Sequence, residues 1–463
     1  MNIKAINIKG LFGDRDYKIT LKNNRLILVA ENGSGKTTIV NIIYYFLSGQ
    51  WPKLIKYDFT SIEVDVGTEK LKLNKSEIDL SSSARFKRIL KRYPPKVQET
   101  FSRVLRTFDA TDLNVSRLNM QYLMERYDLP RSLVYELVTA AEKEQFTLFE
   151  SALSDKRRIM SEIMDAQILY LPTYRRIEQD LRTILPDLDD ELSKYRNRRS
   201  HKSRRRLDES TYIELVEFGM EDVELKINYR LKEIETEFND DLKNGLTGTY
   251  LKDILNESYK QINFENLKIF DQTSLNSILS RIKSTVLSDQ EKERLSLFVS
   301  EMNSTKFEKA ENKIVAYFIY RLSEIYDSLQ KKEIDILKFV KVCNSYSRNK
   351  IYHYDNINFT IDIFPVDRNG DPIENKKVQL KDLSSGEKQI VSLFSHLFLS
   401  DVKKFFVIID EPELSLSVPW QQKFLEDISQ NEFCDGIIAV THSPFIFDNA
   451  LDKYAQGLNI FER

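Results

Sequence analysis

Residues 31–38, which read ENGSGKTT, decide the fold of this chain. They follow an apolar run at residues 26–30 that predicts a buried strand, and they precede residues 39–47, which predict a helix. A glycine-rich turn between a strand and a helix aims backbone N–H groups and a helix N-terminus at a polyphosphate. The sequence therefore predicts a site for a nucleoside triphosphate at this turn.

Each residue of the turn has an expected task. Lys36 is expected to reach the β and γ phosphates of ATP, and Thr37 to place its hydroxyl on Mg²⁺. Ala30 stands where the full P-loop pattern has its first glycine, while Gly33 and Gly35 agree with the pattern. The predicted ATP-binding residues of the turn are Asn32, Gly33, Ser34, Gly35, Lys36, Thr37 and Thr38.

A second segment of the same site is predicted more than 300 residues downstream. Residues 383–387 read LSSGE and open a predicted helix that reaches about Ser400. The first serine of this segment, Ser384, is placed to contact an anion at the helix N-terminus.

Acidic residues follow the next apolar run. Residues 405–413 read FFVIIDEPE, and Asp410 and Glu411 come at the carboxyl end of the predicted strand, where open α/β sheets place their ligands. There Asp410 can hold Mg²⁺ through water, and Glu411 can polarise the water that attacks the γ phosphate. A further apolar run at residues 436–440 brings His442 to the same predicted edge.

The composition indicates a soluble protein with two or more packing units. The 463 residues carry a net charge of −2, and 41% of them are hydrophobic. No apolar stretch approaches the roughly 18 to 20 residues that span a bilayer, and the first ten residues lack the apolar core of a signal peptide. We expect a cytoplasmic protein with no membrane partner, in which Cys343 and Cys434 are reduced thiols without metal-ligand spacing.

Hydrophobic periodicity divides the rest of the chain. Short alternating runs before residue 31 and at residues 62–73 predict strands, and so does the run at residues 168–171. Residues 82–165 lack glycine and predict helices. Spacings of three and four predict two further helices, with apolar stripes at Val223, Ile227, Leu231, Ile234 and Phe238, and at Ile314, Phe318, Leu322, Ile325 and Leu329.

A period of two returns after residue 356. Ile357, Phe359, Ile361 and Ile363 alternate with polar residues and predict a strand. Asn369 and Gly370 then predict a hairpin turn that precedes Val378 and Leu380.

The order of these motifs resembles the ABC-type ATPases, which are the nucleotide-binding heads of the SMC, RecF and OLD proteins. The resemblance implies that residues 32–38 form Walker A, that Asp410 and Glu411 belong to Walker B, and that His442 is the switch histidine. It implies ATP and Mg²⁺ as cofactors, Thr37 and Asp410 as metal ligands, and Lys36, Glu411 and His442 as catalytic residues. The signature motif consists of Ser384, Ser385, Gly386 and Glu387.

The same resemblance implies an α/β fold, an ABC-ATPase head with a P-loop mixed sheet and a large α-helical insertion. The head is expected to comprise residues 1–80, a core strand within residues 166–180, and residues 351–463. Helical insertions are expected at residues 81–165 and 211–350, with a basic linker at 181–210. Such heads dimerise head to head, so that the signature motif of one copy caps the ATP held by the P-loop of the other.

More specific strings resemble compact ATPases of bacterial anti-phage islands, such as AriA of PARIS systems and PtuA of Septu and retron systems. These strings are LFGDRDYKI, LPTYRRIE, EFGMEDVE and SSGEKQIVSLFSHLFLS. This resemblance implies a sensor or scaffold subunit that forms homo-oligomers and controls a separate effector nuclease. We expect no nuclease within this chain, because four histidines make no HNH-type cluster and the residues after His442 are too few for a Toprim domain.

The sequence also allows comparison with two other functions. The first is a RecF-type or SMC-like DNA-repair ATPase that clamps DNA in an ATP-dependent way. The second, the ATPase subunit of a membrane transporter, is disfavoured because Walker A and Walker B are separated by far more residues than a compact cassette needs.

A basic stretch at residues 194–206 stands out in a chain of balanced charge. Its cations are Lys194, Arg196, Arg198, Arg199, Lys202, Arg204, Arg205 and Arg206. Such a cluster can neutralise the phosphates of DNA or RNA, or bind an acidic protein such as a phage trigger protein. It can equally be a solvated linker, and the sequence leaves the three readings open.

Overall fold

The computed structural model describes residues 2–31, 33–67, 69–78, 91–100, 150–172, 212–215, 220–261, 272–284, 286–302, 310–402 and 404–462. Asn32, the basic stretch and most of the helices predicted over residues 82–165 lie outside these ranges. Two compact units are present: Met1–Glu217 with Asp401–Arg463, and Phe218–Ser400. The domain boundaries drawn from the motifs stay predictions.

The described strands and helices are numbered here in chain order. The strands are β1 Ala5–Leu11, β2 Arg15–Thr20, β3 Arg25–Val29, β4 Ser61–Val66, β5 Glu69–Asn74, β6 Gln167–Leu171, β7 Tyr212–Glu214, β8 Lys350–Asp355, β9 Thr360–Pro365, β10 Phe405–Asp410, β11 Cys434–Thr441 and β12 Ala455–Gly457. The helices are α1 Lys36–Leu47, α2 Lys75–Ile78, α3 Glu150–Ile163, α4 Glu221–Lys243, α5 Tyr250–Leu255, α6 Gln272–Arg281, α7 Asp289–Met302, α8 Ala310–Tyr346, α9 Ser385–Leu399 and α10 Val418–Ser429.

A parallel sheet of six strands organises the first unit. Its order is β12-β3-β11-β10-β6-β7, and every neighbouring pair is parallel. Strands β10 and β6 are buried along their whole length, as expected of strands covered on both faces. The strands predicted at residues 26–30, 168–171, 405–409 and 436–440 are thus confirmed, and so is the α/β fold class.

The second sheet of this unit is antiparallel, in the order β2-β1-β4-β5. Alternate residues of its strands, including Ile6, Ile8, Ile62 and Val64, are buried in a core shared with α1 and the parallel sheet. This pattern of two confirms the strands predicted around the P-loop.

Helix α1 is fixed on the parallel sheet by aromatic packing. The rings of Tyr44 and Tyr170 stack with centroids 4.1 Å apart. The hydroxyl of Tyr170 donates a hydrogen bond of 2.9 Å to Oδ1 of Asn41. Because α1 begins at the P-loop, these contacts also fix the direction of the helix N-terminus.

Helices dominate the second unit, as their apolar spacing predicted. All five stripe residues of α4 are buried. On α8, which has 37 residues, Leu322, Ile325 and Leu329 are buried, whereas Ile314 and Phe318 are half-buried. Both predicted helices are confirmed.

The β-hairpin of this unit corrects one prediction. Ile357 and Phe359 lie in the turn between β8 and β9, and the second strand begins only at Thr360. The carboxylate of Asp355 accepts the backbone N–H groups of Ile357 and Asn358 at 2.9 and 3.0 Å. This local turn bond overrides the hydrophobic alternation, because it bends the chain where alternation alone would extend it.

A second correction concerns the residues after this hairpin. The turn predicted at Gly370 is confirmed, with φ of 92° and a hydrogen bond from its N–H to the carbonyl of Asp367. Val378 and Leu380, which this turn precedes, do not form the second strand that a hairpin would have, since neither residue lies in a strand. Pro372 lies in the segment that follows the turn. A proline lacks the backbone N–H that is needed to continue the hydrogen bonds of a β-ladder.

Both cysteines are free thiols, with Cys343 buried and Cys434 half-buried. None of the helices in the described ranges is long and apolar enough to cross a membrane.

Candidate nucleotide site

Two glycines shape the predicted P-loop. Gly33 and Gly35 adopt φ of 81° and 87°, in the left-handed region that favours glycine. A Cβ at Gly35 would lie 2.8 Å from Cε2 of Phe12, whereas one at Gly33 would meet no atom of the described residues within 4 Å. The backbone is therefore packed on the Phe12 side and open at Gly33, which suits the close approach of a phosphate.

Two polar side chains of the turn fit an anionic ligand. Lys36 is buried at the start of α1, and its ammonium donates to the backbone carbonyl of Ala30. Ser34 Oγ is buried and has no hydrogen-bond partner among the residues that the structure describes. A buried hydroxyl without a partner is costly, so a phosphate oxygen is a suitable partner for it. Thr37 and Thr38 follow, half-buried, in the first turn of α1.

Strand register places three motifs at one edge of the parallel sheet. Leu28 of β3 pairs with Val440 of β11, and Val440 pairs with Asp410 of β10. The carboxyl ends of the three strands are therefore level. Glu411 lies one residue beyond this row, His442 two residues beyond it, and the P-loop segment begins three residues beyond it. The structure thus brings together residues that are far apart in the chain.

The surroundings of Glu411 favour the protonated form of its carboxyl group. Burial and then the charges of Asp410 and Glu413 raise the pKa of Glu411, while the charges of His442 and Lys36 act in the opposite direction. Asp410 itself is completely buried. Perturbed carboxyl groups of this kind are concentrated at functional sites.

Glu413, which no motif in the sequence singles out, contacts His442 in the structure. The carboxylate of Glu413 accepts the backbone N–H of His442 at 3.0 Å and lies 2.8 Å from its Nδ1 atom. Glu413 is the last residue of the motif FFVIIDEPE. A glutamate after a proline does not by itself indicate contact with a residue that follows another strand.

The predicted signature motif belongs to the second unit. Ser384 caps α9, and its hydroxyl and backbone N–H both donate to Glu387 at 2.8 Å. Lys350 binds the same carboxylate at 2.8 and 3.0 Å. Burial by itself raises the pKa of Glu387, but the bonds from Lys350 and Ser384 outweigh it and lower the pKa. Ser385 is exposed, whereas Gly386 is buried.

The described side chains do not form a metal site by themselves. Within the described ranges no group of three or more His, Cys, Asp or Glu side chains could hold a metal ion. Mg²⁺ bound to a nucleotide needs only one or two protein oxygens besides phosphate and water. The roles of Thr37 and Asp410 as ligands stay predictions.

A parallel sheet with a glycine turn, a lysine and an acidic strand end at one edge defines the class of α/β P-loop nucleotide-binding domains. The chain belongs to the AAA ATPase domain family, whose model matches residues 1–447.

Other comparisons give weaker likenesses. No curated protein matches the chain. Among solved structures, the Smc head domain of Pyrococcus furiosus, with an extended coiled coil and bound to the C-terminal domain of ScpA, is 12% identical. The match covers 97% of this chain and 92% of that one, with a TM-score of 0.33. The Smc head domain of Pyrococcus yayanosii, with a coiled coil and joint, is 14% identical over 97% and 93% of the two chains, with a TM-score of 0.30.

Proposed function

We propose that this protein binds ATP with Mg²⁺ and hydrolyses it to ADP and phosphate. One observation carries the proposal: the P-loop, the Asp410–Glu411 pair and His442 follow three adjacent parallel strands whose ends are level. No other set of residues in the described ranges joins a phosphate-binding turn to a carboxylate of raised pKa.

The roles follow from the chemistry of the side chains. Lys36, Ser34 and the N–H groups of residues 32–38 would hold the phosphates, and Thr37 and Asp410 would hold Mg²⁺. When bound, Mg²⁺ neutralises phosphate charge. Glu411 would act as general base toward the attacking water, because its raised pKa makes it a better proton acceptor than an ordinary carboxylate.

The variant Glu411→Gln tests this proposal. The amide keeps the size of the side chain but cannot accept a proton, so we expect the hydrolysis rate to fall about 100-fold or more while ATP still binds. Glu69→Gln changes an exposed glutamate of β5 and serves as the matched control. Hydrolysis at the wild-type rate in the Glu411→Gln variant would show that another group is the base.

Loss of binding tests the P-loop separately. Lys36→Ala removes the cation that we assign to the β and γ phosphates, so a fluorescent ATP analogue should bind at least about tenfold more weakly. Unchanged binding would contradict the nucleotide site itself.

We further propose that the protein is a cytoplasmic sensor or scaffold of an anti-phage defence system. On this proposal the protein forms homo-oligomers and controls a separate effector nuclease. Support comes from the resemblance of four sequence strings to the compact ATPases of such systems. Native mass spectrometry of the protein with the product of its neighbouring gene tests the proposal. A stable complex with a nuclease is expected, and a neighbour that encodes a replication or recombination protein would favour the DNA-clamping alternative.

Variants of the basic stretch help to distinguish the defence function from the DNA-clamping function. Reversing Arg204, Arg205 and Arg206 to glutamate should weaken binding to DNA or to an acidic trigger protein at low salt, because phosphate contacts release counterions. Fluorescence anisotropy with labelled duplex DNA measures the first case. If neither ligand loses affinity, the stretch is a linker.

A further inference from the structure

A buried carboxylate holds the turn that carries His442. The side chain of Glu413 is only 6% exposed. One of its oxygens accepts the hydroxyl of Thr441 at 2.8 Å, and the other accepts the backbone N–H of His442 at 3.0 Å. The second oxygen also lies 2.8 Å from Nδ1 of the imidazole ring. One side chain therefore contacts both the backbone and the ring of His442.

The turn is tied to a helix as well. The N–H of Ser443 donates to the Thr441 hydroxyl at 2.9 Å, and the Ser443 hydroxyl donates to Gln421 of α10 at 2.7 Å. Gln421 in turn donates to the carbonyl of Leu416 at 2.9 Å. Hydrogen bonds thus fix Thr441 and Ser443, the residues on either side of His442. Glu413 sets the orientation of the His442 ring between them.

This geometry decides which nitrogen of the imidazole ring carries a proton. A carboxylate oxygen can only accept a hydrogen bond, so the ring nitrogen that faces it must carry the proton. With Nδ1 protonated, Nε2 is the nitrogen that remains available to another ligand. His442 is 47% exposed, so a ligand at the sheet edge has access to the ring.

We infer that Glu413 is a positioning residue, which holds a proton on Nδ1 of His442 and leaves Nε2 as the nitrogen that accepts a hydrogen bond from a water molecule beside the nucleotide. The inference rests on the proposed function for the identity of the ligand at Nε2. The choice of tautomer does not depend on it. Partner carboxylates have this effect on histidines in other sites, where their loss costs about 10- to 100-fold in affinity or activity.

The first test is spectroscopic and needs no nucleotide. Ring nitrogens of ¹⁵N-histidine give different chemical shifts when protonated and when bare, and the signal of His442 is assigned by its absence from His442→Asn. We expect a protonated Nδ1 in the wild-type protein. In Glu413→Gln the signal should shift toward the Nε2–H form, because the amide also offers a donor to the ring. An unchanged Nδ1–H signal in Glu413→Gln would overturn the inference.

The second test is kinetic. Glu413→Gln should lower kcat about 10- to 100-fold with a smaller change in KM. In the His442→Ala background, adding Glu413→Gln should cause little further loss, because the residue acts through the ring. Losses that multiply in the double variant would mean that Glu413 acts independently of His442.

A charge-preserving variant guards against a general folding defect. Glu413→Asp keeps an anionic acceptor but shortens its reach by one methylene, so it should retain the Nδ1–H form and an activity between those of wild type and Glu413→Gln. An aspartate variant less active than the glutamine variant, with equal thermal stability, would contradict the role of the charge.

The two proposals fail in different ways. A wild-type protein that binds ATP but does not hydrolyse it would overturn the proposed function, and the nitrogen spectra would still decide the role of Glu413. Normal hydrolysis in both Glu413→Gln and wild type would overturn the positioning role and leave the ATPase assignment intact.

Discussion

Glu411 adopts a backbone conformation that is unfavourable for its residue type. Its φ is 50°, and its N–H donates to the carbonyl of Val440 at 2.8 Å. A non-glycine residue in this region costs about 1–3 kcal/mol, and such strain is concentrated at functional sites. The chain keeps a carboxylate where glycine would fit better, which agrees with a role in chemistry.

Replacing Glu411 by glycine should therefore separate stability from activity. We expect Glu411→Gly to raise the free energy of unfolding by up to about 1 kcal/mol, because backbone strain and a crowded carboxylate are removed. Hydrolysis should be lost. Urea denaturation and an ATPase assay measure the two effects.

Ser415→Gly is the matched control for this variant. Ser415 is exposed and has φ of 65°, so its replacement relieves strain without touching a carboxylate. It should stabilise the protein less than Glu411→Gly and leave hydrolysis unchanged. A destabilised Glu411→Gly variant would contradict the strain argument.

The pH dependence of hydrolysis follows from the same residue. Burial and the charges of Asp410 and Glu413 raise the pKa of Glu411 above its ordinary value of 4.5. A general base works only when ionised, so kcat/KM for hydrolysis, which reports the free enzyme, should fall with decreasing pH at a midpoint above 4.5. Circular dichroism at each pH controls for unfolding. A midpoint at or below 4.5 would exclude Glu411 as a base of raised pKa.

At the scale of elements, α9 depends on an ion pair at its first turn. Lys350 of β8 contacts both oxygens of Glu387, which also closes the capping box with Ser384. The pair fixes the start of the helix to the neighbouring hairpin. Since residues 384–387 form the predicted signature motif, the same pair holds that motif in place.

Lys350→Met should destabilise the protein by about 1–3 kcal/mol at pH 7, because a half-buried carboxylate loses its charged donor. Glu387 has a lowered pKa in the folded state, so its stabilisation is present above about pH 4.5 and is lost as the pH falls through the folded pKa. The difference in the free energy of unfolding between the variant and the wild type should therefore become smaller toward pH 3. Urea denaturation across this range measures it.

Lys377→Met provides a control, because Lys377 forms an ion pair with the same hairpin. Lys377 pairs with Asp362 of β9 at 2.8 Å, but its side chain is 62% exposed. Exposed pairs contribute under about 1 kcal/mol. Equal losses of unfolding free energy in the two lysine variants would show that the ion pair of Lys350 with Glu387 stabilises the protein no more than an exposed pair does.

At the scale of the whole molecule, the predicted site is divided between units. The P-loop, Glu411 and His442 belong to the first unit, whereas Ser384 and Gly386 belong to the second. The head-to-head arrangement that we propose from the family resemblance would complete each site with the signature motif of another copy.

Mixing two inactive variants tests this arrangement. Lys36→Ala disables the P-loop, and Ser384→Arg disables the signature motif, so each variant alone should hydrolyse ATP slowly. A mixed dimer would contain one site with both parts intact. Random exchange should therefore restore roughly a quarter of wild-type activity. A mixture that stays as slow as its components would contradict completion of the site by a second copy.

The sequence predicted most strands and helices correctly, but it did not predict which strands are neighbours in the sheet. Apolar runs indicated β3, β6, β10 and β11 because buried parallel strands are apolar along their length. Periodicity carries no information on strand order, so the neighbours of β11 had to come from the structure. The short strands β7 and β12 have three residues each, too few for a periodic signal.

The same limit applies to the candidate site. Lys36, Asp410 and Glu411 were predicted because their types and spacing match a known chemistry. Glu413 was not, since its contact with His442 joins residues 29 positions apart through the pairing of β10 with β11. Local sequence describes what a residue can do, and strand pairing decides which residue it meets.

The place of β11 between β3 and β10 has a consequence for synthesis of the protein. The P-loop strand at residues 25–29 is translated long before β11, its neighbour in the sheet at residues 434–441. A nascent chain must therefore leave this edge of an apolar strand unpaired until β11 has been synthesised, which makes the chain prone to aggregation or to capture by chaperones. Chains truncated before residue 434 lack the central strand of the sheet and cannot build the phosphate-binding edge, so they should be degraded without ever competing for nucleotide.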